Sequence, residues 1–327
     1  MKTIGFWDNN LGLRGTSVAM FLYAKYNEEI LGNKSIIFSY ATADTSALTK
    51  FENRFPVYLV GRDLGSFHDI EKVLLNNNGE YFYFIKAGTN DGGLLGPNIK
   101  NLVHAVFMHN DPHGDKYMYV SDWLAGAMGY FPREDHAVPH IVEPLPIVTE
   151  DLRSELNIPR TATVFGCYGG ETEFNINFVH EVMDKVITER DDIYFIFMNI
   201  SNRHHGIVHD VSHKNLRYLP GTWDLNYKAK FVNTCDAMLH ARLGGETFGM
   251  ACAEFSSANK PVLTYGLSGE ASHLEILGEK ALKYHNQDDL YDMINNLNTY
   301  LKYDDWNCYR NFSPEIIMER FNKNFLN

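Results

Sequence analysis

The chain has 327 residues, 45% of them hydrophobic and 13% aromatic, with a formal net charge of −12 at pH 7. That is enough apolar material for a large core and, at ordinary domain sizes, for two domains. The acidic balance argues against a non-specific grip on nucleic acid or an anionic membrane, yet leaves room for a locally basic pocket that takes a small anion.

From the first residues, short apolar runs alternate with helical stretches. "TIGFW" reads as a strand, "NNLGLRGTS" as a glycine-containing loop, and "VAMFLYAKYNEEIL" as a helix with Thr16 or Ser17 as its N-cap. Then come "KSIIFSY" and "VYLVG" (strands), "FHDIEKVLLNNN" (helix), "YFYFIKAG", "LVHAVFM" and "YMYVSD" (strands) and "WLAGAMG" (helix). Such alternation implies a parallel sheet covered by helices on both faces.

The pattern breaks at "HAVPHIVEPLPIVTEDLRSELNIPR", which carries Pro139, Pro144, Pro146 and Pro159. Proline removes donors and is excluded from helix interiors, so this stretch reads as a linker with one short helix, "EDLRSEL". The alternation then restarts: "ATVFGCYGG" is a strand and glycine turn, "INFVHEVMDKVITE" a helix, "IYFIFMNI" and "NLRYLP" strands, "WDLNYKAKFVNTC" a helix and "AMLHARL" a strand. "KPVLTYG" and "ALKYH" read as strands and "DDLYDMINNLNTYL" as a helix, with no short-period repeat anywhere. The expectation is an α/β fold of two similar halves facing a cleft, with a ligand at the carboxyl ends of the strands.

Cys167, Cys235, Cys252 and Cys308 form no C-x-x-C pair, which favours reduced, buried thiols over a zinc ribbon or redox motif. The longest apolar runs are strand-length, and "MKTIGFWDNNLGL" lacks the features of a signal peptide. A cytoplasmic protein with no transmembrane segment is expected.

"GGETFGMACAEF", from Gly244 to Phe255, places a carboxylate near each end of a run of small and apolar residues. Gly244 and Gly245 turn the chain after a strand, and a helix starts near Phe248 or Gly249. Free N–H groups at a helix start suit a phosphate or a sugar oxygen. Glu246 falls in the loop and Glu254 more than one turn into the helix, a spacing that serves hydroxyl pairs on one elongated anion. On spacing alone the alternative stands equally: Glu254 faces water and Glu246 supports the helix start.

"GETFGMACAEFSSANKPVLTY" resembles the E-x7-E segment of retaining glycosyltransferases of the GT-B fold. Glu246, Phe248, Gly249, Glu254, Pro261 and Val262 match "E-G-F-G-x-x-x-x-E" and the "P-V" strand after it, and Thr247 stands where the family often has glycine. The likeness covers about Ala237 to Leu297. It implies two Rossmann-like domains facing a cleft: residues 1–143 on the acceptor side, 144–302 on the donor side, and 303–327 as a helix crossing back. There Ile316, Ile317, Phe321 and Phe325 sit at helical spacing.

The activity implied is a hexosyl- or pentosyltransferase using a nucleoside-diphosphate sugar and a glycan or small-molecule acceptor, with no metal, no cofactor and no nucleic acid. Glu254 would hold ribose hydroxyls. Glu246 would contact the sugar as a catalytic residue, beside Thr247 and the backbone of Phe248 and Gly249. Arg242, Gly166 and Gly169 complete the donor set. "NNLGLRGTSVAMFLYA" resembles the glycine loop after the family's first strand, so Gly12, Arg14 and Gly15 are the candidate phosphate loop, although a tight turn needs no ligand. His109, His113 and Asp115 lie where acceptor-side residues come from, with His113 the candidate catalytic group.

The likeness fails at one place. The family usually carries an arginine and then a lysine after the first strand of the second domain, both against the diphosphate. Here "VFGCYGGETEFNI" offers Cys167, Glu171 and Glu173, with the amides of Gly166, Gly169 and Gly170. Arg242 and Arg203 are the candidates for the missing charge.

His204, His205, His209 and His213 raise a metal site, but Gly206, Val208 and Val211 speak against the helix it would need. No Asp-x-Asp motif occurs, so a metal-independent mechanism is the simpler expectation. A Cys167 nucleophile lacks a neighbouring histidine in sequence, and a buried structural role is preferred. Two further classes stay open: a degenerate sugar-nucleotide or glycan binder, and a sugar-nucleotide epimerase.

Overall fold

The computed structural model describes residues 1–201, 203–204, 207–208 and 213–327, with the backbone alone for 203–204 and 207–208. His205 and His209, and the side chains of Arg203 and His204, lie outside the described residues. The chain divides into two compact units, Met1–Ile141 with Phe312–Asn327, and Val142–Asn311.

The first unit runs β1 (Thr3–Trp7), α1 (Gly15–Glu29), β2 (Lys34–Tyr40), α2 (Leu48–Glu52), β3 (Val57–Val60), α3 (Asp69–Asn76), β4 (Gly79–Lys86), β5 (Lys100–Ala105), β6 (Lys116–Tyr119) and α4 (Asp122–Ala127). Its six strands are all parallel, in the order β3-β2-β1-β4-β5-β6. Successive side chains of a strand face opposite ways, and β4 fills both faces with aromatics. Phe82 and Phe84 join Trp7, Phe38, Ile70 and Leu74 on one side. Tyr83 meets Phe6, Tyr23 and His104 on the other.

The second unit runs β7 (Thr163–Tyr168), α5 (Asn177–Glu189), β8 (Ile193–Met198), the short pair β9 (Arg203–His204) and β10 (Ile207–Val208), β11 (Leu216–Leu219), α6 (Leu225–Thr234), β12 (Ala237–His240) and β13 (Gly245–Glu246). It continues with α7 (Met250–Ser257), β14 (Val262–Tyr265), β15 (Glu270–Ala271), α8 (Ser272–Leu277), β16 (Leu282–Tyr284), α9 (Gln287–Asn295) and α10 (Leu297–Tyr300). α5 shows the amphipathic pattern plainly: Val179, Val182, Met183, Val186 and Ile187 are its buried stripe. The main sheet is again parallel, in the order β11-β8-β7-β12-β14-β16.

Counted from its own first strand, each six-stranded sheet has the order 3-2-1-4-5-6. That is the doubly wound order, so both units are Rossmann-like domains. α11 (Pro314–Phe321) then packs with the first unit.

The details depart from expectation in five places. α1 begins at Gly15 with Arg14 as an N-cap whose side chain makes no capping hydrogen bond. Ser17 is not its cap, because it lies inside the helix, where its hydroxyl donates to the buried Asp8 carboxyl at 2.9 Å and accepts from Gly12 N at 3.3 Å. "EDLRSEL" forms turns rather than a helix. There the buried Arg153 donates to Ala162 O at 2.8 Å and to Asp236 at 3.0 Å, pinning the segment to the unit. The expected long helix near residue 290 is broken into α9 and α10, because Asn296 leaves the helical region at φ −124° and ψ 33°. The returning segment packs with the first unit only from Phe312. Within it Ile317, Met318, Phe321 and Phe325 are buried, while Ile316 is 48% exposed.

Candidate active site

In a doubly wound sheet the carboxyl ends of the first and fourth strands point away from a gap where the chain order reverses, and ligands collect there. In the second unit those strands are β7 and β12, and the two glutamates of the E-x7-E segment meet their partners at those ends. After β7 the loop is braced to the loop after β12: Asn175 N donates to Ala241 O at 2.8 Å, and Leu243 N to Asn175 Oδ1 at 2.7 Å.

Glu246 ends β13, which pairs in parallel with β15. The approach is so close that a Cβ on Gly245 would stand 2.0 Å from Glu270 O, and φ there is +82°, so only glycine fits. The carboxylate is held from two sides. His240 Nε2 donates to Oε1 at 3.2 Å, and Arg242 Nη1 donates to Oε2 at 2.9 Å. Burial alone would raise its pKa, but the His240 hydrogen bond and the Arg242 charge outweigh it and bring the carboxyl down to about 2.

Behind His240 lies a buried polar chain. His240 Nδ1 is 2.9 Å from Thr264 Oγ1, which is 3.0 Å from His273 Nε2. Burial drives His273 down to about 3, so its ring is neutral at ordinary pH. The single Thr264 hydroxyl proton can go to only one of the two rings, which couples their tautomers. His273 Nδ1 has no hydrogen-bond partner among the described residues.

Arg242 is shared. Its Nε lies 2.5 Å from Glu173 Oε2, so the guanidinium bridges Glu173 and Glu246. Burial works against its charge, but Glu246, Glu173 and Glu270 together hold its pKa above the ordinary value.

Glu254 does not face water. It sits on α7, only 8% exposed, after an N-cap formed by Gly249 at φ +90°. Lys228 Nζ, from the first turn of α6, reaches both its oxygens at 3.0 and 3.1 Å. The Tyr168 hydroxyl, at the end of β7, donates to it as well. The Tyr168 ring is stacked on Phe255 at 5.4 Å and met edge-on by Phe231, so α6, α7 and β7 are locked around this carboxylate.

Of the remaining candidates, Thr247 and Phe248 are buried, and Phe248 packs on Tyr309 at 5.7 Å. Gly166 lies within β7, where an added Cβ would be 2.2 Å from Cys235 Sγ, so its smallness serves packing. Gly169 O accepts from Asn199 Nδ2 at 2.7 Å. Cys167 is a buried strand residue rather than part of the glycine turn, and burial pushes its thiol far above the ordinary range. That is the opposite of what an activated nucleophile needs.

The first unit's candidates lie apart from this network in sequence and in unit. Gly12 is closed off by Asp44, whose Oδ2 would be 2.0 Å from an added Cβ, while Arg14 and Gly15 are exposed. Asp8, at the end of β1, is pushed up by burial to about 6 despite hydrogen bonds from Ser17 and Thr16. His113 is buried, with Nδ1 2.6 Å from Asp111 O and Nε2 covered and without a hydrogen-bond partner among the described residues. A direct encounter with an acceptor hydroxyl requires that nitrogen to be uncovered.

His240, Thr264, His273, Tyr168 and Lys228 were not singled out from sequence. His240 had a local signal, a polar residue closing an apolar strand two places before Arg242. Lys228 and Tyr168 had none, since only the fold brings them to Glu254. Among the described residues no group of three His, Cys, Asp or Glu side chains is placed to hold a metal ion, and no helix is long and apolar enough to cross a membrane.

No protein-family model matches the chain, and no curated protein matches it. Its fold is similar to that of a glycosyltransferase from Rickettsia africae, with a TM-score of 0.69 and 15% identity over 100% of this chain and 99% of that one. It is similar also to Anabaena HepE in complex with UDP-glucose, with a TM-score of 0.70 and 11% identity over 99% of each chain. A third likeness is to S. aureus MnaA with UDP, with a TM-score of 0.61 and 13% identity over 100% of this chain and 97% of that one. At these identities the likeness shows the fold, two Rossmann-like domains in one chain.

Proposed function

We propose that the protein is a retaining, metal-independent glycosyltransferase that moves a sugar from a nucleoside-diphosphate sugar to a hydroxyl of a glycan or small-molecule acceptor. The observation that carries this reading is the pair Glu246 and Glu254, each fixed by basic partners at the carboxyl edge of the second sheet. Two carboxylates so fixed suit a ligand with hydroxyl pairs at both ends, ribose at Glu254 and the transferred sugar at Glu246. Uridine diphosphate sugars are the first donors to try, given the UDP in two of the similar structures. The four cysteines, all unpaired, favour action in the cytoplasm.

In the proposed reaction the bond between the anomeric carbon and the diphosphate oxygen breaks, and its electron pair leaves with the diphosphate. The acceptor oxygen bonds to the same face, and its proton passes to the departing diphosphate. The protein acts by position and charge: Glu246 orients the sugar, with Thr247, Phe248 and Gly249 lining the turn beneath it. A second reading, a sugar-nucleotide binder without turnover, is favoured by one observation: Arg242 is already engaged by Glu173 and Glu246.

The test is a panel of sugar nucleotides incubated with wild type and Glu254→Ala, following both binding and release of nucleoside diphosphate. Release with one donor that is lost in Glu254→Ala supports transfer. Binding without release supports the second reading, and no binding to any donor sinks both.

A further inference from the structure

The proposed site has a charge problem. Glu173 and Glu246 contact Arg242, Glu270 acts on its charge, and Glu254 follows Glu246 on the same segment. A diphosphate brought against such a set is repelled unless a cation meets it. Arg242 is spent on two carboxylates, and the end of β7 offers Cys167 and Tyr168 instead of a basic residue. Into that place the fold delivers Lys228. Its ammonium lies 5.0 Å from the centre of the Tyr168 ring, at the end of β7, although Lys228 belongs to α6, 60 positions further along the chain.

We propose that Lys228 is the cation that meets the donor diphosphate, an assignment that rests on the sugar-nucleotide reading above. The ammonium lies on Glu254, its side chain 12% exposed. A lysine ammonium is a point charge on a four-carbon stem with rotatable donors, so it can turn without moving α6. When the ribose hydroxyls donate to Glu254, they take over the acceptor capacity that Lys228 now uses, and Nζ turns to the phosphate oxygens. Tyr168 stays on Glu254 and holds the carboxylate in place during the exchange. The pair thus keeps a buried carboxylate compensated and yields its positive charge to the diphosphate when the ribose takes Glu254.

The experiment measures calorimetric affinities for UDP, GDP, ADP and dTDP and for their parent nucleosides. It uses wild type, Lys228→Met, Lys228→Arg, Glu254→Gln and the double variant Lys228→Met/Glu254→Gln. The readout is the ratio of diphosphate to nucleoside affinity for the best base. Lys228→Met is expected to lower that ratio about tenfold or more, Lys228→Arg to keep most of it, and Glu254→Gln to leave it intact while weakening both ligands. The double variant carries no unpaired buried charge, so it keeps the test valid where Lys228→Met alone fails to fold. It is expected to show the same fall in ratio relative to Glu254→Gln. Equal weakening of diphosphate and nucleoside on loss of Lys228 would reduce it to a prop for Glu254 and overturn the proposal. A ratio unchanged by every variant overturns it too, while leaving the sugar-nucleotide reading standing. Wild type that binds none of the diphosphates overturns both.

Discussion

His240 and Glu246 are joined end to end, imidazole Nε2 to carboxylate Oε1 at 3.2 Å, and this bond heads the influences that keep Glu246 anionic against its burial. Replacing His240 by alanine therefore moves the Glu246 pKa up from about 2 toward the ordinary carboxylate value. A hydrogen bond to a charged group is worth about 1.5–3 kcal/mol, so the acid limb of donor binding against pH is expected to shift up by about one unit or more. Calorimetric binding of the best sugar nucleotide from pH 2 to 7, with an NMR titration of the Glu246 carboxyl over the same range, checks it. An unshifted acid limb would assign the control of Glu246 to Arg242 alone.

The two domains carry acids displaced in opposite directions. Asp8 is raised to about 6, so the folded chain keeps a proton that the unfolded chain releases near pH 3.8. Its contribution is full below that pH and is lost as pH rises toward 6, by up to about 3 kcal/mol for a shift of about two units. Glu246 does the reverse: its contribution is present above about pH 4.5 and is lost as pH falls toward 2. Urea titrations between pH 3 and 8 should show Asp8→Asn losing the fall in stability between pH 4 and 6, and Glu246→Gln losing part of the acid sensitivity below it.

Gly166 faces the Cys235 sulfur, and its side-chain space is already taken. Gly166→Ala is expected to cost about 1–3 kcal/mol through overpacking. An alanine Cβ would still meet Cys235 Cβ at 3.5 Å, an ordinary contact, so Cys235→Ala in the same chain should return most of the loss. Thermal unfolding of the two single variants and the double variant measures the coupling directly.

Three of the four thiols are buried, and burial raises Cys167, Cys235 and Cys252 strongly. Iodoacetamide applied to the native chain near pH 8 is expected to label the half-buried Cys308 first, as mass spectrometry of the peptides would show. Early labelling of Cys167 would restore the case for a reactive thiol at the end of β7.

The strands were legible because their apolar runs are short, aromatic and bounded by glycine or polar residues; "YFYFI" could scarcely be anything else. The boundary of α1 was not, since Ser17 has the chemistry of a cap but lies inside the helix, its hydroxyl turned to Asp8, a partner nine positions away. Ile316 and Ile317 show the same limit: both fit a helical stripe, and only packing decides that one is in the core. Within the site, the Glu246 and Glu254 spacing was visible, along with Arg242. What surrounds them was not. Lys228 belongs to a different helix from Glu254, Tyr168 to a strand far earlier in the chain, and His273 to a helix whose start is set by β15. Such partners are chosen by the order of strands in a sheet, which no local pattern records.

The return of residues 312–327 to the first domain has a temporal side. Phe321 and Phe325 close over Tyr23, Tyr83 and His104, and Lys2 Nζ donates to Leu326 O at 2.7 Å. A ribosome delivers β1 to β6 early, yet Tyr83 and His104 lack their cover of Phe321 and Phe325 until more than half of the chain has followed. The second domain has all its own residues by Asn311 and can finish first. The domain made first is thus the last to be completed, and for the length of that wait its exposed rings are what a nascent-chain chaperone would meet.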